Sequence, residues 1–541
     1  MEIHKYGGIS AVPDPGFVWS GRFEVERSSL KYFDSRGMLT FPDRGKSGEY
    51  HTVFGPSFVH NGEHFIPDNV GLSVALTRLT AARNTTEFVN GIPMHEHLKN
   101  QQKINFTCEY MRPWIAHVQS GVYSSSELAE ILREGWTEKV HPKRLLRQHV
   151  EEEYYHTMPY HESHAYAVEY KVKKGETLKN NGKLRGIADL GPHACAISGY
   201  YVDIVKDAME KPYYYKGCEI LYVSCPKNEL LKEVFRKLFS PSGKMFFVLF
   251  SDDSCLAVRT TTDVFWADMD ISSCDGSQYT PVFNVLKESM AHPLYNKDID
   301  KTFKQLKSKL RLRSVGSKPS CTATIKLSDP DDIPLLSGST LTVITNNTSN
   351  VGIAMRIADK LDELPDFNRV EGIVLESASE MGYIVKCKPV ANFEELTFLK
   401  HSSTLDFELF LGLGVLLRSF GTFCGDLPGR GSIEERARAF NSDVVKSFVH
   451  AGDHIITRAF NSHKILSTLK SNKNRNYAER ILEKGYSTDA ITTTSLCKRY
   501  GCGEQELVEL ARSIEQAKVG HVINLPVVDV IMRMDYGYPM H

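Results

Sequence analysis

The sequence predicts an α+β chain, and three observations carry the prediction. Residues 245–250, 255–260 and 264–267 are apolar or β-branched runs separated by polar turns; Ser337-Gly338 opens a segment whose apolar residues recur every three or four positions; and from residue 404 onward the helical period dominates. In the first region MFFVLF runs up to Ser251-Asp252-Asp253-Ser254 and CLAVRT leaves it, which reads as a strand, a tight acidic turn and a return strand. After the polar residues 260–263, VFWA reads as a third strand that ends in Asp268, Asp270 and, further on, Asp275. Strands joined by short turns usually pair, so Asp252, Asp253 and Asp270 are expected together at one end of a small antiparallel sheet.

Carboxylates crowded in this way repel one another unless cations lie between them. Hard oxygen donors then point to Mg²⁺ or Mn²⁺. Two such ions, about 3.5–4 Å apart, stabilise the attacking and leaving oxygens of an in-line phosphoryl transfer. An acidic pair in one turn is equally well a solvated turn; the recurrence of carboxylates at neighbouring strand ends is what argues for metal.

Composition narrows the classes. The chain has 541 residues, of which 24% are charged and 41% hydrophobic, an ordinary soluble balance with length for several cores. A net charge of −1 rules out binding through a general basic field, so any nucleic-acid contact has to come from local basic segments. The N-terminal stretch lacks the apolar run of a signal peptide, and the longest apolar segment, residues 407–417, carries Glu408 and is too short to span a bilayer. Eleven cysteines without paired CxxC spacing fit reduced thiols in a cytosolic protein.

Taken in order, residues 1–138 carry no chemical motif. His95-Glu96-His97 would place two histidines on one face of a strand, but no further ligand stands at zinc spacing. Two basic segments follow, one with Lys139, Lys143, Arg144 and Arg147, the other with Lys171, Lys173, Lys174, Lys179, Lys183 and Arg185. Such groupings suit nucleic-acid phosphates or a triphosphate, and also an ordinary solvated face. Residues 282–290 form an amphipathic segment, and KTFKQLKSKLRLR, residues 301–313, reads as a basic helix able to lie along a nucleic-acid backbone through Lys307, Lys309 and Arg311.

The most specific spacing is SGSTLTVITN, residues 337–346, in which a glycine-flexed loop opens a helix with Thr342 and Asn346 on one face. Residues 373–388 read as a helix, a turn at Gly382 and a strand, and residues 393–400 as a further strand or hairpin. Residues 495–517 read as two short helices around Gly501 and Gly503, consistent with helical packing or with a helix-turn-helix.

Together these segments, over residues 140–400, resemble the palm and fingers of viral RNA-dependent RNA polymerases. Asp270 to Gln278 resembles motif A, residues 337–346 motif B and Ser251-Asp252-Asp253 motif C; residues 380–388 resemble motif D, 397–400 motif E and 173–185 motif F. The aspartate pair precedes motif A, a C-A-B order similar to the permuted polymerases of permutotetraviruses and birnaviruses. Ser251 stands where glycine is usual.

The resemblance implies a right-hand architecture with a permuted palm: an N-terminal extension with part of the fingers (1–138), fingers (139–245), palm with motifs C and A (246–292), a fingers insertion (293–329), palm with motifs B, D and E (330–400), and a helical thumb and C-terminal region (401–541). It implies RNA synthesis from nucleoside triphosphates with two Mg²⁺ or Mn²⁺ ions held by Asp252 and Asp270, and secondarily by Asp253. Lys173, Lys183 and Arg185 are expected on the triphosphate, Asp275 and Asn346 on the ribose 2′-hydroxyl, and Ser337, Gly338 and Thr342 elsewhere on the nucleotide. Lys143, Arg144, Arg147, Lys307, Lys309, Arg311 and Lys400 are expected on RNA. Lys386 or Lys388 is expected to be the general acid; Lys388 is favoured because Pro389 after it suggests the start of a loop able to swing toward the site.

Expected partners are the RNA template and nascent strand, nucleoside triphosphates, and viral accessory or capsid proteins, in the host cytoplasm or within virions. A reverse transcriptase would share the aspartates but should carry a bulky gate against the ribose. A non-enzymatic RNA-binding protein would explain the basic segments but not the S-G-x3-T-x3-N spacing.

Overall fold

The computed structural model describes residues 22–25, 88–124, 169–172, 186–224, 226–313, 321–361, 364–420, 451–463, 489–517, 523 and 525–537. Its centre is a six-stranded sheet of β1 (Tyr213–Tyr215), β2 (Cys218–Tyr222), β3 (Met245–Phe250), β4 (Asp253–Arg259), β5 (Val264–Ile271) and β6 (Val385–Val390). The spatial order β6-β5-β4-β3-β2-β1 runs backwards along the chain. All neighbours are antiparallel except β2 and β3. A parallel pair cannot be closed by a hairpin, and a helix between the two strands supplies the crossover.

Helices α1 (Met94–Asn105), α2 (Arg112–Ser124), α3 (Gly191–Met209), α4 (Asn228–Phe239, the β2–β3 crossover), α5 (Thr280–Met290), α6 (Asn296–Leu306), α7 (Thr342–Asp359) and α8 (Val370–Glu380) pack around this sheet. Because side chains alternate along a strand, Phe247, Leu249, Leu256 and Met269 join the main core with Leu286 of α5 and Ile344, Val351 and Met355 of α7. Phe246, Val248, Cys255 and Ala257 face the other way, against Leu231, Val234, Phe235 and Leu238 of α4 and against Phe393, Leu396 and Phe398. Burial on both faces explains why MFFVLF is apolar at every position rather than alternating.

A second, five-stranded sheet has the order Phe23–Val25, Cys321–Leu327, Leu310–Arg313, Glu169–Val172, Gly186–Asp189. The remaining helices among the described residues, α9 (Leu413–Phe420), α10 (Ile455–Ser462), α11 (Thr493–Tyr500), α12 (Glu504–Glu515) and α13 (Pro526–Tyr536), enclose a separate core that includes Leu416, Phe460, Leu496, Leu507, Leu510, Ile514, Val528 and Ile531. No helix among the described residues is long and apolar enough to cross a membrane.

Several local expectations are corrected. The basic segment 301–313 is not one helix: α6 ends at Leu306, and Leu310–Arg313 is a strand paired with Cys321–Leu327. The alternation Leu-Arg-Leu-Arg has the period of a strand, and a waiting partner strand selects it over the helical continuation. His95 and His97 stand in the first turn of α1, not on a strand, and residues two apart on a helix do not share a face. Residues 393–400 contain a 3₁₀ turn, Phe393–Glu395, and the only strand-like pairing there is a bridge from Phe398 to His401.

Lys388 does not open a loop. It lies inside β6, with Pro389 opposite Ala267. A proline's missing N–H is tolerated here because β6 is an edge strand.

Candidate active site

Three adjacent strands bring the carboxylates together. Asp253, first residue of β4, is the direct cross-strand partner of Asp270 on β5, and Asp270 is in turn the partner of Lys386 on β6. Two residue pairs further along, on the same face, lie Cys255, Asp268 and Lys388. Cross-strand partners project to the same face at Cα separations of about 4.5–5.5 Å. Asp252 occupies the turn between β3 and β4, next to Asp253. Asp253 and Asp270 are exposed, and Asp252 is half-buried.

The turn itself is held from below by α7. Ser251 has φ +57°, the left-handed region that favours glycine. Its N–H donates to Asn347 Oδ1 (2.8 Å), its carbonyl accepts from Asn350 Nδ2 (2.6 Å), and its Oγ accepts from Asn346 Nδ2 (3.2 Å). Asn346 Nδ2 also donates to Asp275 Oδ1 (2.9 Å), whose other oxygen accepts the Ser337 hydroxyl. Asp275, Ser337 and Asn346 therefore form one cluster, joined through Asn346 to the turn bearing Asp252.

Beneath that cluster lies a buried polar network. Gln278 donates to Asn346 Oδ1 (3.1 Å), and Gln278 Oε1 accepts from Ser349 (2.9 Å) and from Tyr383 OH (2.7 Å). Burial raises the Tyr383 phenol well above its ordinary pKa, so it stays a donor. With both amide hydrogens and its oxygen engaged, and only 1% of its surface exposed, Asn346 spends its hydrogen bonds inside the protein.

Gly338 has φ +105°, and a Cβ there would stand 2.3 Å from the Ala188 carbonyl oxygen. The Ala188 N–H donates to the Ser337 carbonyl (2.7 Å). This turn can be glycine only, because it is pressed against strand Gly186–Asp189. Thr342 directs its hydroxyl to the Ser339 carbonyl (2.8 Å), closing the first turn of α7.

The other expected residues are dispersed. Lys388 Nζ donates to the Met534 carbonyl on α13 (3.0 Å), and Lys400 lies over the Tyr536 ring at 4.9 Å, so both meet the C-terminal helices. Lys307 and Lys309 are half-buried between α6 and strand Leu310–Arg313, which carries Arg311. Lys143, Arg144, Arg147, Lys173, Lys183 and Arg185 lie outside the described residues.

Asp268 accepts the Thr397 N–H at 2.9 Å, and burial pushes its carboxyl up to about 6 against the pull of that bond, Lys388 and Arg499. Arg499, buried with Asp535 at 2.6 Å, also donates to the carbonyls of Glu394 (3.0 Å) and Glu395 (2.9 Å) and to Thr397 Oγ1 (3.1 Å). It clasps the segment that carries Thr397 to the C-terminal core.

Sequence reasoning missed several residues of this scaffold. Asn347 and Asn350 had a signal: residues 346–350, NNTSN, are polar at every position in the middle of α7, and all are buried. Arg22 donates to the carbonyls of Gln278 (2.7 Å) and Ile333 (2.8 Å), and Gln102 to that of Ser277 (3.0 Å); neither carried a sequence signal.

Among the described residues no group of three or more His, Cys, Asp or Glu side chains is gathered to hold a metal ion. A magnesium ion needs no such cage, since it is usually bound through one or two carboxylates and completes its shell with water and substrate phosphates. The opposed, exposed pair Asp253 and Asp270 fits that donor chemistry.

No protein-family model matches the chain, and no curated protein does. Among solved structures, the RNA polymerase VP1 from infectious pancreatic necrosis virus aligns with a TM-score of 0.40 and 10% identity, over 76% of this chain and 60% of that one. A chain of the birnavirus VP1–VP3 complex aligns with a TM-score of 0.37 and 10% identity, over 66% of this chain and 52% of that one. The chain thus spans 60% and 52% of the two solved chains. At these scores the alignments add nothing to the argument from residues.

Proposed function

We propose that this chain is an RNA-directed RNA polymerase with a permuted, right-hand architecture. One observation carries the reading: Asn346 donates to both Ser251 and Asp275, joining three segments that the sequence separates, the aspartate turn, the strand of Asp270 with its continuation to Asp275, and the S-G-x3-T-x3-N helix. In this reading strands β3 to β6 with α5 and α7 belong to the palm, the five-stranded sheet to the fingers, and the helical unit after residue 401 is the thumb.

Asp270 and the turn aspartates Asp252 and Asp253 would hold two Mg²⁺ or Mn²⁺ ions. Divalent metal, when bound, supplies charge stabilisation on the attacking and leaving phosphoryl oxygens. The chain's own residues do the positioning. Asp275, steadied by Ser337 and Asn346, receives the ribose 2′-hydroxyl, and Asn346 acts on the sugar through Asp275. Lys386, exposed and opposite Asp270, is better placed than Lys388 to give a proton to departing pyrophosphate, because Lys388 is drawn to the Met534 carbonyl. RNA, nucleoside triphosphates and a site of action in the host cytoplasm follow from this reading.

Incorporation of labelled NTP or dNTP on a homopolymeric RNA template, with Mg²⁺ or Mn²⁺, tests it. NTP incorporation that is lost in Asp270→Asn is expected. Preference for dNTP would indicate a reverse transcriptase, and RNA binding without incorporation of either would indicate a binding protein.

A further inference from the structure

We propose that Asn347 and Asn350 are positioning residues, which act through Ser251 to hold the aspartate turn opposite Asp270. The inference rests on the metal reading above, but its evidence lies in α7. A serine at φ +57° persists only where its surroundings over-determine it. Ser251 is 8% exposed, so both its backbone polar groups need protein partners, and both partners are side chains of one helix. Asn347 and Asn350 are three apart and so lie on the same face, one accepting the Ser251 N–H and the other donating to its carbonyl.

Asn350 is otherwise poorly used. Its Oδ1 is buried with no hydrogen-bond partner, in a residue of 0% exposure. A half-satisfied buried amide is a cost to folding. What it accomplishes is the 2.6 Å bond to Ser251, which fixes the peptide immediately before Asp252. Since β3 and β4 are closed by only Ser251 and Asp252, rotating that peptide would redirect Asp252 and shift Asp253 against Asp270. The asparagines thus set the geometry of the carboxylates without touching substrate.

The test uses the full chain and Mn²⁺ alone, titrated by calorimetry, together with steady-state nucleotide incorporation. Asn350→Ala and Asn347→Ala should each weaken Mn²⁺ binding at least tenfold and lower kcat at least tenfold, with nucleotide KM changed less than twofold. Adding Ser251→Gly to Asn350→Ala should recover at least threefold of both, because glycine takes the left-handed conformation without being held in it. Folded variants that bind Mn²⁺ as the wild type does overturn the proposal and leave the polymerase reading standing. A loss that Ser251→Gly does not relieve assigns the asparagines to packing and overturns it too. A wild-type chain that binds no Mn²⁺ overturns the metal reading and this proposal with it. Should Asn350→Ala not fold, Asn347→Ala with and without Ser251→Gly decides the same question.

Discussion

Replacing His454 by asparagine isolates a single buried titration in the C-terminal helical unit. His454 caps α10: its Nδ1 accepts the N–H groups of Ile456 (3.2 Å) and Thr457 (3.3 Å), and the Thr457 hydroxyl accepts the His454 N–H (3.0 Å). A ring nitrogen that accepts carries no proton, so the cap works only with neutral imidazole. Burial, aided by Arg458, pushes the histidine down from 6.5 to about 3. In the unfolded chain it protonates near pH 6.5, so between pH 6.5 and 3 the unfolded state binds more protons and stability rises with pH. The contribution is intact above pH 6.5 and is lost progressively as pH falls toward 3. At pH 5, 1.5 pH units below the unfolded value, the loss is about 2 kcal/mol at 1.36 kcal/mol per unit.

Asparagine caps a helix as well but does not titrate. Thermal unfolding of wild type and His454→Asn from pH 7 to pH 5 should therefore diverge, with the variant gaining about 2 kcal/mol relative to wild type at pH 5. That corresponds to about 4–8 °C in the transition of a unit of this size. Parallel pH profiles for the two proteins would refute the assignment of a depressed, neutral His454.

The remaining predictions concern the site and its supports. Asp252→Ala and Asp270→Asn should each leave less than a tenth of wild-type nucleotide incorporation with an unchanged melting temperature; retained activity would count against both as metal ligands. Arg499→Leu leaves the buried Asp535 carboxylate without its arginine partner, so unfolding should show a loss of about 3–5 kcal/mol, and Arg499→Leu with Asp535→Leu should lose less than Arg499→Leu alone. Gly338→Ala forces a Cβ to within 2.3 Å of the Ala188 oxygen at a strained φ, and should cost at least about 2 kcal/mol in a urea titration; wild-type stability would mean that the loop has another conformation. Lys386→Met should slow single-turnover incorporation at least tenfold and more than Lys388→Met does, the reverse order returning the proton-donor role to Lys388.

Much of the central sheet was legible because its signals are local. MFFVLF, the acidic turn and CLAVRT specify a hairpin by run length, turn chemistry and β-branched content, and the return of Asp270 beside Asp253 follows from the habit of consecutive strands to pair. The start of α7 at Thr342, and the helices on either side of Gly501, were likewise readable from periodicity and glycine. The segment 301–313 was not, because its second half satisfies helix and strand periods almost equally. A pairing partner beyond residue 320 decided between them.

The sequence by itself determined the hairpin around Asp252 and Asp253, the strand that returns toward Asp270 and the helix that Ser337-Gly338 opens, since these depend on residues within a few positions of one another. Only the tertiary structure decided that β6 lies against β5 with Lys386 opposite Asp270, that Arg22 and Gln102 brace the segment around Gln278, and that Asn347 and Asn350 grip Ser251. Each of those contacts joins polar groups far apart in the chain, and a buried polar group has no local pattern that names its partner. It is satisfied by whatever the packed core brings within hydrogen-bonding distance.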